Sequence, residues 1–244
     1  MPPETNDTRI WMLDAVRGTL ILGVVIFHII WNLESFGVLP FSFAESPIST
    51  AVSRIGAAGF LSLVGVGVKL AYGKGFRAAK FAARVASIAA CAMLISVATY
   101  ALDSGSFIYF GILHVIAAAT LVSVLLLRAP PGVCATIGMI AIALPHVFNI
   151  TATVSRTSAW TGLTRDAPDS LDFYPFFRWA GWVFLGMALT TPIILVCRRL
   201  SPPGIEKYRL PNVVAWVGRR SLTIYMLHQP ILYGLLGALV ALRS

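Results

Sequence analysis

Trp11–Trp31 reads WMLDAVRGTLILGVVIFHIIW, an apolar run interrupted by Asp14, Arg17 and His28. A stretch of about 20 such residues is long enough to cross a bilayer core as a helix. A charged side chain at that depth costs on the order of 2.5–3.5 kcal/mol, so these three are expected to face protein or a watery cavity rather than lipid. At about 100° per residue, Arg17 and His28 nearly eclipse, and Asp14 lies within about 60° of Arg17. The stripe from Asp14 to His28 runs about 21 Å along the axis, most of a membrane's apolar thickness. A polar stripe of that length points to something crossing, or being relayed across, the protein.

The rest of the chain agrees with a membrane solvent. Of its 244 residues 57% are hydrophobic and 12% charged, with a mean hydropathy of +0.81. Soluble domains average about 25% charged residues, which excludes an ordinary globular core. The net charge of +9 does not indicate nucleic acid, because the basic residues sit in loops between apolar runs and form no face interleaved with aromatics. Cys91, Cys134 and Cys197 fall in or beside apolar runs without metal-ligand spacing, and are expected to pack as small apolar residues rather than form disulfides. No small-residue cleavage site follows the first run, which therefore reads as a retained helix.

Seven apolar segments can be marked, at about 11–31, 48–70, 78–101, 107–127, 132–150, 176–197 and 219–241, predicting an all-α polytopic bundle in a single domain over 1–244. Gly73–Gly75, Asp103–Ser106 and the Arg128–Gly132 stretch RAPPG separate early segments, while Thr151–Pro175 and Arg198–Arg220 separate the last ones. With the N-terminus inside, the inner side carries Arg9, the group Lys69, Lys74, Arg77, Lys80 and Arg84, then Arg128, and finally Arg198, Arg199, Lys207, Arg209, Arg219 and Arg220. The outer side keeps only Arg156, Arg165 and Arg243, with the acids Glu34, Glu45, Asp103, Asp166, Asp169 and Asp172. The positive-inside rule then predicts N-in, C-out. Ile205–Val217 reads either as a short interfacial helix or as a tethering loop.

This topology gives each polar residue a depth. His28 lies near the outer end of the first segment, Arg54 near the outer start of the second, His114 about two turns into the fourth, and Asp172 and Tyr174 just before the sixth. Two imidazoles, a carboxylate and a guanidinium at one depth have the composition of a general-base site: His28, His114 and Asp172 for proton transfer, Arg54 and Tyr174 for substrate and oxyanion. The plainer alternative makes both histidines interhelical hydrogen-bonding residues. An inner group comprises Asp14, Arg17, Arg220 and Ser221, suited to an anionic ligand, unless Asp14 and Arg17 merely pair at i,i+3 and the arginines anchor a helix end. Tyr225, His228 and Gln229 form a mid-membrane polar patch beside Pro230, where a kink is expected. His146, next to Pro145, reads as a loop or interface residue. Gly56, Gly59, Ser62, Gly65 and Gly67 permit close helix approach or a narrow ligand path, and Gly65 and Gly67 follow no strand that would make them a phosphate loop.

The stretches Arg9…Leu13–Asp14–Ala15–Val16–Arg17–Gly18…His28, Gly111–Ile112–Leu113–His114, Asp172–Phe173–Tyr174–Pro175 and Gly218–Arg219–Arg220–Ser221–Leu222…Ile224–Tyr225…His228–Gln229–Pro230 follow one another through nearly the whole chain. Together they resemble bacterial relatives of the heparan-α-glucosaminide N-acetyltransferase catalytic domain. The resemblance implies a multi-pass protein of the bacterial inner membrane that takes an acetyl group from cytoplasmic acetyl-CoA and delivers it to a sugar or glycan on the far side. That family belongs to a wider group of membrane acyltransferases that includes the envelope-polysaccharide O-acetyltransferases, whose first-helix histidine falls at the place of His28; this implies His28 as base or acyl-relay residue, with Arg17 and Arg220 suited to the coenzyme's phosphates or carbonyl. An acyl-donor side would comprise Asp14, Arg17, Arg220, Ser221, Tyr225, His228 and Gln229. Membrane lipid is a further expected partner, a homodimer is allowed, and neither a metal nor nucleic acid is expected. One departure concerns the histidine: the lysosomal members carry asparagine at the position of His28 and a histidine in the loop after it, whereas Asn32–Pro47 here holds none. Two other classes fit the buried charges: a proton-coupled transporter or lipid flippase, and a non-catalytic subunit of an envelope complex.

Overall fold

Inside a bilayer every backbone N–H and C=O must find its partner within its own segment, so apolar runs of this length fold as helices. The computed structural model is all-α among the residues it describes, which are 10–39, 42–44, 46–147, 156–164, 168–201, 204–205 and 208–242. Arg9, Glu45, Arg165, Asp166, Lys207 and Arg243, which enter the charge pattern above, lie outside these residues. The helices are α1 (Trp11–Ser35), α2 (Pro47–Tyr72), α3 (Ala78–Leu102), α4 (Ile112–Val122) and α5 (Pro131–Val147), then α6 (Arg156–Ala159), α7 (Phe176–Ala188), α8 (Thr190–Leu200), α9 (Arg209–Arg219) and α10 (Ser221–Ala241). A 3-10 turn, Ser123–Leu126, extends α4.

Helices α1, α2, α3 and α10 are each long and apolar enough to cross a membrane, and α7 with α8 qualifies only as a pair. Among the described residues that makes up to five spans; α4 with its extension and α5 are apolar but shorter. Two expected segments differ from what is observed. The one at 107–127 becomes helical only at Ile112, and the one at 176–197 is interrupted at Leu189. Met93, Leu94, Val97 and Leu102 of α3 point outward, the last 85% exposed, as befits a face solvated by lipid.

The chain divides into two compact units, residues 1–60 with 192–244 and residues 61–191. In the first, α1 and α9 meet through facing glycines: a methyl at Gly18 would overlap the Val214 carbonyl, and one at Gly218 the Asp14 carbonyl. Such small-residue contacts let backbones approach where lipid offers no hydrophobic drive. The segment before α10 is thus a helix, burying Ala215 and Val217 and exposing Leu210, Val213 and Trp216. Helix α1 ends where Gly37, at φ 68°, takes the left-handed turn that lets the Val38 N–H reach the Leu33 carbonyl at 2.9 Å. The Glu34 carboxylate then accepts the N–H groups of Phe43 (2.6 Å) and Ala44 (2.9 Å), folding the outgoing loop back.

In the second unit the same device recurs. Gly65 admits the Val183 carbonyl, Gly186 admits that of Ser62, and Gly138 and Gly181 face one another across α5 and α7. Gly65 therefore serves close helix approach. Leu61, Val66, Val68, Val115, Val183 and Met187 fill the core between these backbones. The Lys69 ammonium donates to the carbonyls of Leu127 (2.8 Å) and Ala129 (3.0 Å), satisfying the open end of the 3-10 turn. All three cysteines are free thiols, and Cys134, fully buried, directs its S–H at the Leu126 carbonyl.

Candidate functional site

Among the described residues, two clusters of polar side chains draw on the apolar helices and their ends, one in each unit. In the first unit, α1 presents His28 and Asn32, one turn apart, and α10 presents Tyr225, His228 and Gln229. The rings of His28 and His228 meet edge to face at 4.8 Å, with His228 Nε2 at 3.3 Å from His28 Nδ1. Carbonyl oxygens only accept, and that fixes the protons. His228 Nδ1 lies 2.6 Å from the Tyr225 carbonyl and must donate to it, so its Nε2 is the lone-pair nitrogen. His28 Nδ1 lies 2.9 Å from the Val24 carbonyl and likewise donates, sharing its proton with His228 Nε2. His28 Nε2 is left with its lone pair, and among the described residues none hydrogen-bonds it. An imidazole with one nitrogen tethered and the other open is arranged to take a proton.

Beside this dyad Asn32, fully buried, donates its amide N–H to Gln229 Oε1 at 2.9 Å, while its own Oδ1 has no partner. The Phe27 and Tyr225 rings pack on the two imidazoles at 5.5 and 5.4 Å. Helix α10 runs through Pro230 without a break.

The second cluster is built on the loop before α4. The backbone of Ser106–Phe110 pairs with that of Ser170–Tyr174: Leu171 N–H donates to the Ser106 carbonyl (2.8 Å) and Tyr174 N–H to the Phe110 carbonyl (3.0 Å). Asp103 orders the approach to this loop by accepting from the Gly105 N–H and the Ser106 hydroxyl, and the Ser106 hydrogen bond above all holds its carboxyl below the usual range. His114 Nδ1 accepts the Gly111 N–H at 3.2 Å, which assigns the proton to Nε2, and Nε2–H meets Ser96 Oγ at 3.2 Å. The Ser96 hydroxyl in turn donates to the Ile108 carbonyl. Both ring nitrogens of His114 are thus engaged in tying α4 to α3 and the loop.

Asp172 accepts the Ile112 N–H at 3.1 Å. Burial raises its carboxyl to a pKa of about 6, against the lowering effect of that N–H. Gly111 is required here, since a side-chain carbon would strike the Asp172 carboxylate and Ile108. Tyr174 packs its ring on Trp179 at 4.7 Å.

The remaining sequence-predicted residues are placed as follows. Asp14 and Arg17 face each other on α1 at 3.7 Å, the i,i+3 pair that was the plainer of the two readings. Arg220 and Arg54 are exposed, and Ser221 opens α10 half-buried. His146 is exposed in the last turn of α5. Sequence reasoning missed Asn32 and Ser96. Asn32 carried a usable signal, a second polar residue one turn beyond His28; Ser96 carried almost none, because a serine in an apolar helix ordinarily bonds its own backbone.

The family model described as "Heparan-alpha-glucosaminide N-acetyltransferase, catalytic" matches residues 9–230, a span that includes both clusters. The chain belongs to this family. It is a multi-pass transmembrane protein of a membrane acyltransferase family, as its long apolar helices and this match together require. Comparison with curated proteins gave no match, and neither did comparison with solved structures.

Proposed function

We propose that this protein transfers an acetyl group from cytoplasmic acetyl-CoA to the amine or hydroxyl of a sugar or glycan at the outer face of the bacterial inner membrane. In this reading the chain crosses seven times, N-in and C-out, with α4, α5 and the α7–α8 pair completing the spans of α1, α2, α3 and α10. The observation that carries the proposal is the His28–His228 dyad with its open Nε2, in a chain whose family is one of acetyltransferases.

The thioester supplies an activated acyl carbon. His28 Nε2 accepts the acceptor's proton as the new bond to that carbon forms, and the charge gained is shared through Nδ1–H with the lone pair of His228 Nε2. The C–S bond then breaks, and His28 returns the proton to the departing thiolate, leaving the dyad neutral. Arg54, in the same unit, is the proposed cation for the oxyanion. Asp14, Arg17, Arg220, Ser221, Tyr225 and Gln229 form the proposed acyl-donor side. His114 and Asp172 position the Ser106–Gly111 loop and the start of α4.

Proteoliposomes enclosing glucosamine or glucose, with acetyl-CoA added outside, test this reading. Release of free coenzyme A outside, matched by acetylated sugar inside, is expected. Movement of sugar or protons without acetylation would instead identify a transporter.

A further inference from the structure

Outside both clusters, the second unit contains a cleft of about 250 Å³ where the end of α2 and its turn meet the 3-10 extension of α4. Lys74 and Arg128 line it from opposite segments, with Tyr72, Phe76 and Leu125 as its apolar wall. No acidic residue lines it, and the sequence holds none anywhere in 46–102 or 104–165, so these two exposed cations lack a carboxylate in either contributing segment. The cleft is held open by construction. Lys69 spends its ammonium on the Leu127 and Ala129 carbonyls, fixing the backbone on both sides of Arg128. The rings of Tyr72, Phe76 and Phe81 pack on one another at 5.2–6.3 Å, with Tyr72 edge to face against both phenylalanines, fixing the turn that carries Lys74, and Phe76 remains 46% exposed. Gly73 has no room for a side chain against the Lys69 carbonyl.

We propose that this cleft binds a phosphate ester whose charged head lies between Lys74 and Arg128 and whose apolar or aromatic part rests on Phe76 and Leu125. An arginine fork and a lysine point charge together suit a tetrahedral oxyanion. Ligand pockets for whole drug-sized molecules run to about 300–1,000 Å³, so this cleft takes one end of a larger ligand. That chemistry has two sources, the nucleotide end of a coenzyme and the phosphodiester of an anionic membrane lipid. The nucleotide arm draws on the acyl-donor reading above; the lipid arm does not, and the test reads binding rather than transfer, so the two can fail separately.

The full chain is compared with K74A/R128A and with the charge-preserving K74R/R128K, all checked for equal melting temperature without ligand. Adenosine 3′,5′-bisphosphate is titrated calorimetrically in detergent. Separately, quenching by brominated phosphatidylglycerol is set against brominated phosphatidylcholine in nanodiscs. At least one anionic probe is expected to bind the wild type and to lose about tenfold or more in K74A/R128A, as loss of charge-assisted contacts implies, with recovery in K74R/R128K. The proposal is overturned if neither probe binds the wild type, if K74A/R128A binds both within twofold of it, or if the charge-preserving variant fails to recover.

Discussion

His228→Phe isolates the second ring of the dyad. Phenylalanine keeps an aromatic ring of similar volume against His28 while removing the Nε2 acceptor, which lies 3.3 Å from His28 Nδ1. In the resting enzyme the loss is small, because the His28 Nδ1–H retains the Val24 carbonyl at 2.9 Å. Once His28 carries the acceptor's proton, the missing partner is a hydrogen bond to a charged group, worth about 1.5–3 kcal/mol. At about 1.4 kcal/mol per decade, the rate of transfer should fall about 10- to 150-fold. The Tyr225 carbonyl loses its His228 donor but stays in helix, so the melting temperature should change little. Single-turnover acetylation, followed by mass spectrometry at saturating acetyl-CoA, reads the chemical step. A His228→Phe enzyme within twofold of the wild-type rate would refute the charge-sharing role of that ring.

Two further outcomes follow from named contacts. The Asp172 carboxyl, raised by burial to about 6 against an ordinary 3.8, holds its proton in the folded state over a window in which the unfolded chain has already released it. Stability should therefore decline as pH rises from about 4 to about 6, and Asp172→Asn, which keeps an acceptor for the Ile112 N–H, should lack that component in melting curves taken across the window. Gly218→Ala places a methyl on the Asp14 carbonyl and must part α9 from α1; overpacking of this kind costs about 1–3 kcal/mol, measurable as a lower melting temperature in detergent.

Much of the fold was legible because bilayer physics leaves few choices. The long helices α1, α2, α3 and α10 announce themselves by length and hydropathy, and His28 stands out as an imidazole within apolar sequence. Other features follow from contacts that spacing does not reveal. The interruption at Leu189 did carry a signal, the Thr190–Thr191–Pro192 run, since Pro192 has no N–H for the Ala188 carbonyl and its ring crowds that oxygen, but the 64° bend between the two halves cannot be read from it. His28 and His228 lie 200 positions apart, and only packing brings their rings together. His228 and Gln229 stand out as polar residues of α10, but their contacts with His28 and Asn32 are set by packing alone. The capping of the Gly111 turn by His114 depends on a loop whose partner stretch of backbone arrives about 60 residues later. Asp172 was legible as a motif carboxylate, whereas its burial, and its fit against Gly111 where a side chain would strike it, come from packing.

In the proposed transfer the open nitrogen of His28 takes the acceptor's proton. The most direct measurement is the acetylation rate of purified His28→Ala, with retained folding confirmed by melting temperature. Transfer should fall by about 100-fold or more, the scale of general-base catalysis. Transfer at the wild-type rate by that variant would contradict this role of His28.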